Sequence, residues 1–167
     1  MIDWKRVPNF HPDEFPEDPD RYADPKLIYT LQAYRTRINQ AVYPSPVKGA
    51  LARFGINTTS QHSAVDRKSR AVDVFAEGVP VSNFACLITV PEIMGIGIYL
   101  DTNGPDAAPW IMFHMDIRGV GFTADVPLVW ICKKVQGRNK YYYPQKDPAH
   151  WSLLRQDNMY QERRFGK

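Results

Sequence analysis

Two stretches far apart in the chain carry side chains that could do chemistry together. The first is Ser60-Gln61-His62, continued after a gap by Arg70-Ala71-Val72-Asp73-Val74. The second is Ile111-Met112-Phe113-His114-Met115-Asp116-Ile117-Arg118-Gly119. His62, Asp73 and His114 supply two imidazoles and one carboxylate, a set that can hold a catalytic zinc ion and leave its fourth position open to water. Met alone, a loop histidine or a histidine in an apolar strand is an ordinary structural residue. Asp73 is harder to explain that way, because an unpartnered carboxylate in an apolar strand is costly to bury. Asp66, four residues after His62, competes for the carboxylate role on spacing alone. His11 and His150 stand apart from both stretches and read as surface residues.

The elements around these residues must position them. Ala71 to Phe75 alternates and is β-branched, and Trp110 to Ile117 also reads as a strand. Residues two apart in a strand share a face, so His114, Asp116 and Met112 project together while Phe113 and Met115 face the other way. Asp73 shares its face with Ala71 and Phe75, and His62 comes from the loop before. Gly95 to Leu100 forms a further strand, joined to the Trp110 strand by the turn-rich loop Asp101 to Pro109.

Further out, Pro8 to Pro25 is an irregular arm rich in Pro, Asp and Glu. Asp24-Pro25 reads as N-cap and first position of a helix to about Gln40, with Leu27, Ile28, Leu31, Tyr34 and Ile38 at helical spacing. Val47 to Phe54 is expected as a strand. Ser82 is expected to cap a helix running through Val90. Leu128 to Lys134 and Lys140 to Tyr143 form a hairpin around Gln136-Gly137-Arg138-Asn139. His150 to Arg164 reads as a final helix packing Trp151, Leu154 and Tyr160. This order predicts an α+β fold, a small mostly antiparallel sheet flanked by helices.

The 167 residues suit one domain, and 44% hydrophobic residues are enough to bury a core. A net charge of +3 does not by itself argue for nucleic acid. Lys and Arg gather late, from Lys133 to Lys167, and such a tail would favour an anionic polymer, although charge runs are commonly just solvated faces. Cys86 and Cys132 sit in apolar runs and read as core thiols, and no Cys-x-x-Cys is present. Met1 to Pro8 has no apolar signal-peptide run, and no stretch approaches the ~18 apolar residues of a membrane span. The expectation is synthesis in the cytoplasm.

The two stretches resemble the zinc D-Ala-D-Ala carboxypeptidase family, which includes phage endolysin peptidases and shares its fold with the Hedgehog signalling domain. The family pattern is roughly S-x-H-x-x-G-x-A-x-D, followed later by a strand ending in histidine, often as H-x-D. Ser60, His62, Ala71 and Asp73 match the first part, and His114 with Asp116 the second. Gly95-Ile96-Gly97-Ile98-Tyr99 resembles the family's G-x-G-x-Y strand. The resemblance covers about residues 8 to 120. On that basis residues 1–125 read as a zinc-peptidase-like domain with its arm, and 126–167 as a C-terminal hairpin and basic tail packed on or extending it. Three features depart from the pattern. Asp73 follows His62 by eleven positions instead of seven, with Ser69 where the family has glycine. Ile111 stands where many members carry the acidic general base. The stretch before His62 lacks the family's S-G-Y-R, so Arg53 is the nearby arginine able to bind a substrate carboxylate.

The resemblance implies a zinc metallopeptidase that hydrolyses peptidoglycan stem peptides. Zn2+ would be held by His62, Asp73 and His114. With Ile111 unable to act, Asp116 is the expected base, or else a carboxylate that orients an imidazole. Arg53 or Arg118 would grip the peptide carboxylate, with Ser60 beside the substrate. The missing signal peptide suggests a phage or prophage enzyme reaching the cell wall by release or on a virion, where other virion proteins would be partners. The alternative is a catalytically inactive peptidase-fold module, structural or wall-binding, such as a tail component. A nucleic-acid-binding role for the basic, aromatic segment Lys133 to Tyr143 is the least favoured.

Overall fold

The computed structural model describes residues 1–55, 60–65, 67–76, 80–103, 109–119 and 127–155. Asp66 lies outside the described residues, as do Tyr160, Arg163, Arg164 and Lys167 of the tail.

The arm opens with two 3-10 turns, Trp4–Arg6 and Pro12–Glu14, and a one-turn helix α1 (Pro19–Tyr22). Helix α2 (Pro25–Ile38) starts as its residues require. Asp24 accepts the amide of Lys26, and Pro25 fills a first-turn position where no N–H is needed. Leu27, Ile28, Leu31 and Tyr34 are fully buried on one side of it. Asn39 ends it in the left-handed conformation, φ 52°, with its amide on the Arg35 carbonyl.

Six strands form one mixed sheet: β1 (Val42–Pro44), β2 (Ala71–Ala76), β3 (Gly95–Asn103), β4 (Pro109–Asp116), β5 (Leu128–Val135) and β6 (Arg138–Tyr142). Their order is β1-β2-β4-β3-β5-β6, and only the β3–β5 pair is parallel. The α+β expectation is met at this level. Strands β5 and β6 complete the sheet that β1 to β4 begin. Gln136 (φ 51°) and Gly137 (φ 76°) make the two-residue turn of the last hairpin, both in the region that such tight turns require.

Alternation divides the sheet into two faces. Val72 and Val74, Ile96 and Ile98, Phe113 and Met115, and Val129 and Ile131 point into the apolar core with α2 and with Leu87 of helix α3 (Pro80–Leu87). The other face takes Ala71, Asp73 and Phe75, then Gly95, Gly97 and Tyr99, then Met112, His114 and Asp116, and on β5 Trp130 and Cys132.

Two local expectations fail for traceable reasons. Val47 to Phe54 is not a strand; it turns at Ala50, whose amide bonds the Val47 carbonyl, and only Arg53 makes a bridge, to Ser63. Ser82 does not begin α3, which already includes Pro80 and ends at Leu87 in turns through Glu92. Of the final helix, residues 151–155 are described and helical. Both cysteines are free thiols, Cys132 buried and Cys86 half-buried. Among the described residues no helix is long and apolar enough to cross a membrane.

Candidate metal centre

Asp73 lies directly across from His114 in the β2–β4 ladder, and Gly97 and Trp130 continue that row onto β3 and β5. Strand backbone thus aims the carboxylate and one imidazole at the same spot. His62 reaches it from a turn pinned on three sides. Arg53 and Ala64 pair with it, amide of Arg53 to carbonyl of His62 at 2.8 Å and amide of Ala64 to carbonyl of Arg53 at 3.0 Å. Arg70 donates its amide to the Gln61 carbonyl at 2.9 Å, so the longer gap between His62 and Asp73 is closed at its base. Ser60 caps the turn, its Oγ 3.3 Å from the His62 amide.

Three donor atoms meet there. His114 Nδ1 is 2.9 Å from His62 Nε2 and 3.0 Å from Asp73 Oδ1, and His62 Nε2 is 3.2 Å from that same oxygen. All three side chains are buried. Ligands ~2.0–2.1 Å from a tetrahedral ion lie ~3.3 Å from one another, so the triangle is close to the size that one ion spans. His62, Asp73 and His114 therefore form a group that could hold a metal ion.

Hydrogen-bond arithmetic supports that fit. Behind the triangle, His114 Nε2 sits 3.1 Å from Asp116 Oδ2. Arg118 clamps Asp116 in a fork, Nε to Oδ1 at 2.7 Å and Nη2 to Oδ2, and adds its amide to Oδ1 at 3.1 Å. An ionised carboxylate so paired accepts the Nε2 proton, which leaves Nδ1 of a neutral His114 as a lone pair. That lone pair faces a carboxylate oxygen and a second ring nitrogen. A cation resolves the clash between these acceptors; otherwise extra protons must be shared among them. His62 Nδ1 is buried without a hydrogen-bond partner among the described residues, and its ring meets that of His114 edge-on at 4.8 Å.

The electrostatics follow from burial and pairing. With no cation bound, the shared protons sit on the rings: burial pushes the Asp73 carboxyl up, but hydrogen bonds from protonated ring nitrogens of His114 and His62 outweigh it and hold the group far below the ordinary range. Asp116 is likewise raised by burial and lowered more by Arg118 and His114, down to about 2. Burial lowers His62 against the pull of Asp73. Burial also opposes protonation of His114, but Asp116 and Asp73 prevail and raise it.

The remaining expected residues fall around this centre. Arg53 is half exposed; its Nη2 lies 3.5 Å from Asp73 Oδ2 and its Nε donates to the Gly49 carbonyl at 3.0 Å. Phe54, the next residue in the chain, lines a shallow, open hollow with Arg21, Tyr22, Gly55, Ala64 and Val65. Asp116 is fully buried behind His114, on the side away from the triangle. Ile111 is buried and belongs to the core, as its place in the alternation of β4 requires.

Two residues escaped sequence reasoning. Glu17, nearly buried, accepts the amides of Gly49, Leu51 and Ala52 and shapes the loop that leads into Arg53. The Ala50 carbonyl of that loop takes the Asp73 amide at 2.9 Å. Nothing distinguishes Glu17 from its acidic neighbours in the arm. Trp130 packs its indole against the His114 ring at 5.0 Å, and its only signal was an aromatic at an alternating position of a later strand. Comparison with known protein families, curated proteins and solved structures finds no match.

Proposed function

We propose that the chain is a zinc-dependent peptidase that hydrolyses peptidoglycan stem peptides, with the fold and site of the carboxypeptidase and endolysin family it resembles. The observation that carries this reading is the buried triangle of His62 Nε2, His114 Nδ1 and Asp73 Oδ1, three possible ligand atoms about 3 Å apart, with Arg53 reaching only the other oxygen of Asp73. Two imidazoles and one carboxylate suit zinc and leave room for a further ligand. A zinc ion bound there would supply an acidic water and polarise a carbonyl oxygen. Asp116 fixes the tautomer of His114 and holds one edge of its ring. Of the two roles the sequence leaves open for Asp116, base and orienting carboxylate, the saturated geometry favours the second. Arg118 is engaged with Asp116, so the grip on a peptide carboxylate falls to Arg53, whose half-exposed guanidinium stands at the rim. The shallow hollow walled by Tyr22 and Phe54, the latter one residue from Arg53, is where the rest of a peptide would lie.

A second reading has its own support. Ile111 is in the core and Asp116 is fully paired, so no carboxylate at either expected base position faces the triangle. That arrangement fits a wall-binding or virion structural module that keeps a metal without turning over substrate. One experiment separates the two. The purified protein is analysed for bound metal and incubated with purified peptidoglycan peptides, with products read by mass. Bound zinc with chelator-sensitive cleavage supports the peptidase. Bound zinc without cleavage supports the module. Absence of metal after equilibration with zinc removes both.

A further inference from the structure

Strand β5 enters the sheet beside β3, beyond the span of the motifs, and sets Trp130 at the end of the row Asp73, His114, Gly97. The indole lies over Gly97: a Cβ at that position would come within 2.6 Å of the indole Nε1 and Cε2 and 2.7 Å of Cζ2. The same ring meets His114 at 5.0 Å between centroids, tilted by 50°. The Arg118 guanidinium carbon sits 5.6 Å from the indole centroid. Trp130 thus touches the first and last members of the chain His114–Asp116–Arg118 and closes it into a ring of contacts. Gly95 clears the space beneath the other half, since a Cβ there would strike the Asp116 carboxylate and Nη2 of Arg118. The two glycines are slots in the sheet, one for the carboxylate–guanidinium pair and one for the indole.

We infer that Trp130, seated in the slot at Gly97, is a positioning residue that sets the plane of the His114 imidazole at the metal centre; this rests on the metal-binding reading above. The torsion that turns an imidazole about its Cβ–Cγ bond is broad, so the ring plane has to be fixed by neighbours. The bond to Asp116 fixes one edge of the ring. The indole blocks rotation about that edge, and its stacking with Arg118 steadies the group that holds Asp116.

The test uses the full chain with Trp130→Leu, Trp130→Phe, Gly97→Ala and the double variant Gly97→Ala/Trp130→Leu. Zinc affinity is measured by competition with a chromophoric chelator, and the visible absorption of the cobalt-loaded protein reports ligand geometry. Trp130→Leu and Gly97→Ala are each expected to weaken zinc ~10–100-fold, the usual effect of losing a group that orients a metal ligand, and to shift the cobalt bands. Trp130→Phe should keep most of the affinity. The double variant should bind no more weakly than Trp130→Leu, because the added methyl then has no indole to displace. A residue that merely packs would alter melting and leave the cobalt bands alone. Zinc affinities within twofold of the parent in Trp130→Leu and Gly97→Ala, with unchanged bands, overturn the inference. If Trp130→Leu does not fold, Gly97→Ala and Trp130→Phe decide it by the same readouts. If the parent binds no metal, the proposed function fails instead, and the His114 ring resonances of the metal-free protein decide the positioning role: moved by Trp130→Leu or Gly97→Ala they support it, unmoved they end it.

Discussion

One sheet handles charge under two opposite conditions. At its centre, Asp73, His114 and Asp116 are 6%, 6% and 0% exposed, and each lies against an opposite charge or a ring nitrogen. At its edge, Lys133 and Lys140 stand directly opposite each other on β5 and β6, beside Lys134 and Arg138, and none of the four makes an ion pair among the described residues. Water accounts for the contrast. A buried charge must be paired or pay heavily in solvation, so the central geometry is compulsory. Exposed charges are screened, so like charges can face each other at small cost, and lysines on an edge strand discourage other chains from pairing with it. The centre is therefore where the arrangement of side chains carries information about function.

The contrast breaks most completely if one member of the central triangle is removed. His114→Ala should abolish stoichiometric zinc binding while circular dichroism stays near that of the parent. Metal analysis after dialysis checks this, and a retained equivalent of zinc would show that the triangle is not the site. Tyr141→Ala, on the solvent-exposed hairpin, should leave zinc content unchanged.

Acid should expose the same difference. A group whose folded pKa is depressed contributes stability that is complete above its unfolded value and is lost as pH falls toward the folded value. Asp116, at about 2 when folded and ~3.9 when unfolded, contributes roughly 2–3 kcal/mol at neutral pH. Asp73 acts in the same sense. His62, lowered, also gives stability that fades as pH drops through its unfolded value, whereas His114, raised, gives stability that fades as pH rises through its folded value. The metal-free protein should therefore lose stability steeply between about pH 4 and pH 2, and denaturant titrations across that window measure it. Asp116→Asn should flatten the dependence; an unchanged slope would mean that the carboxylate is not held as the structure has it.

The shared faces at the centre were legible from a local rule, whereas the grouping of His62, Asp73 and His114 was read through the resemblance. Alternation alone put His114 with Asp116 and Asp73 with Phe75, and the register then placed Asp73 opposite His114. Asp24-Pro25 announced α2, and Gln136-Gly137-Arg138-Asn139 announced the last hairpin, whose turn is only Gln136-Gly137 because Arg138 and Asn139 already belong to β6. What escaped depends on distant partners. The parallel pairing that brings Trp130 to Gly97 joins strands that are not consecutive in the chain and leaves no periodic trace. Val47 to Phe54 carries strand-like residues, but the amides of Gly49, Leu51 and Ala52 are taken by Glu17 from the arm instead of by a neighbouring strand.

A smaller change tests whether the orientation of His114 matters as well as its presence. Asp116→Asn keeps the shape but offers a weaker acceptor to Nε2, and should weaken zinc ~10–100-fold without abolishing it. Chelator competition reads the loss. A loss as complete as that of His114→Ala would make Asp116 a ligand and not a support.

The smallest effect belongs to the edge. Lys140→Glu replaces a like-charged pair directly across β5–β6 by an opposite-charged one, and cross-strand pairs of this kind are worth about 0.2–1 kcal/mol. The variant should be more stable by about that amount at low salt, with the gain shrinking in 1 M salt, and denaturant midpoints in the two conditions read both. Zinc affinity should not move, because no hydrogen bond or ion pair among the described residues joins Lys140 to the triangle. A loss of stability instead would show that the ammonium of Lys140, 5.2 Å above the Tyr142 ring, holds the edge more firmly than repulsion from Lys133 loosens it. In that case the exposed charges would also be placed by specific contacts, and solvent screening alone would not separate the two regions.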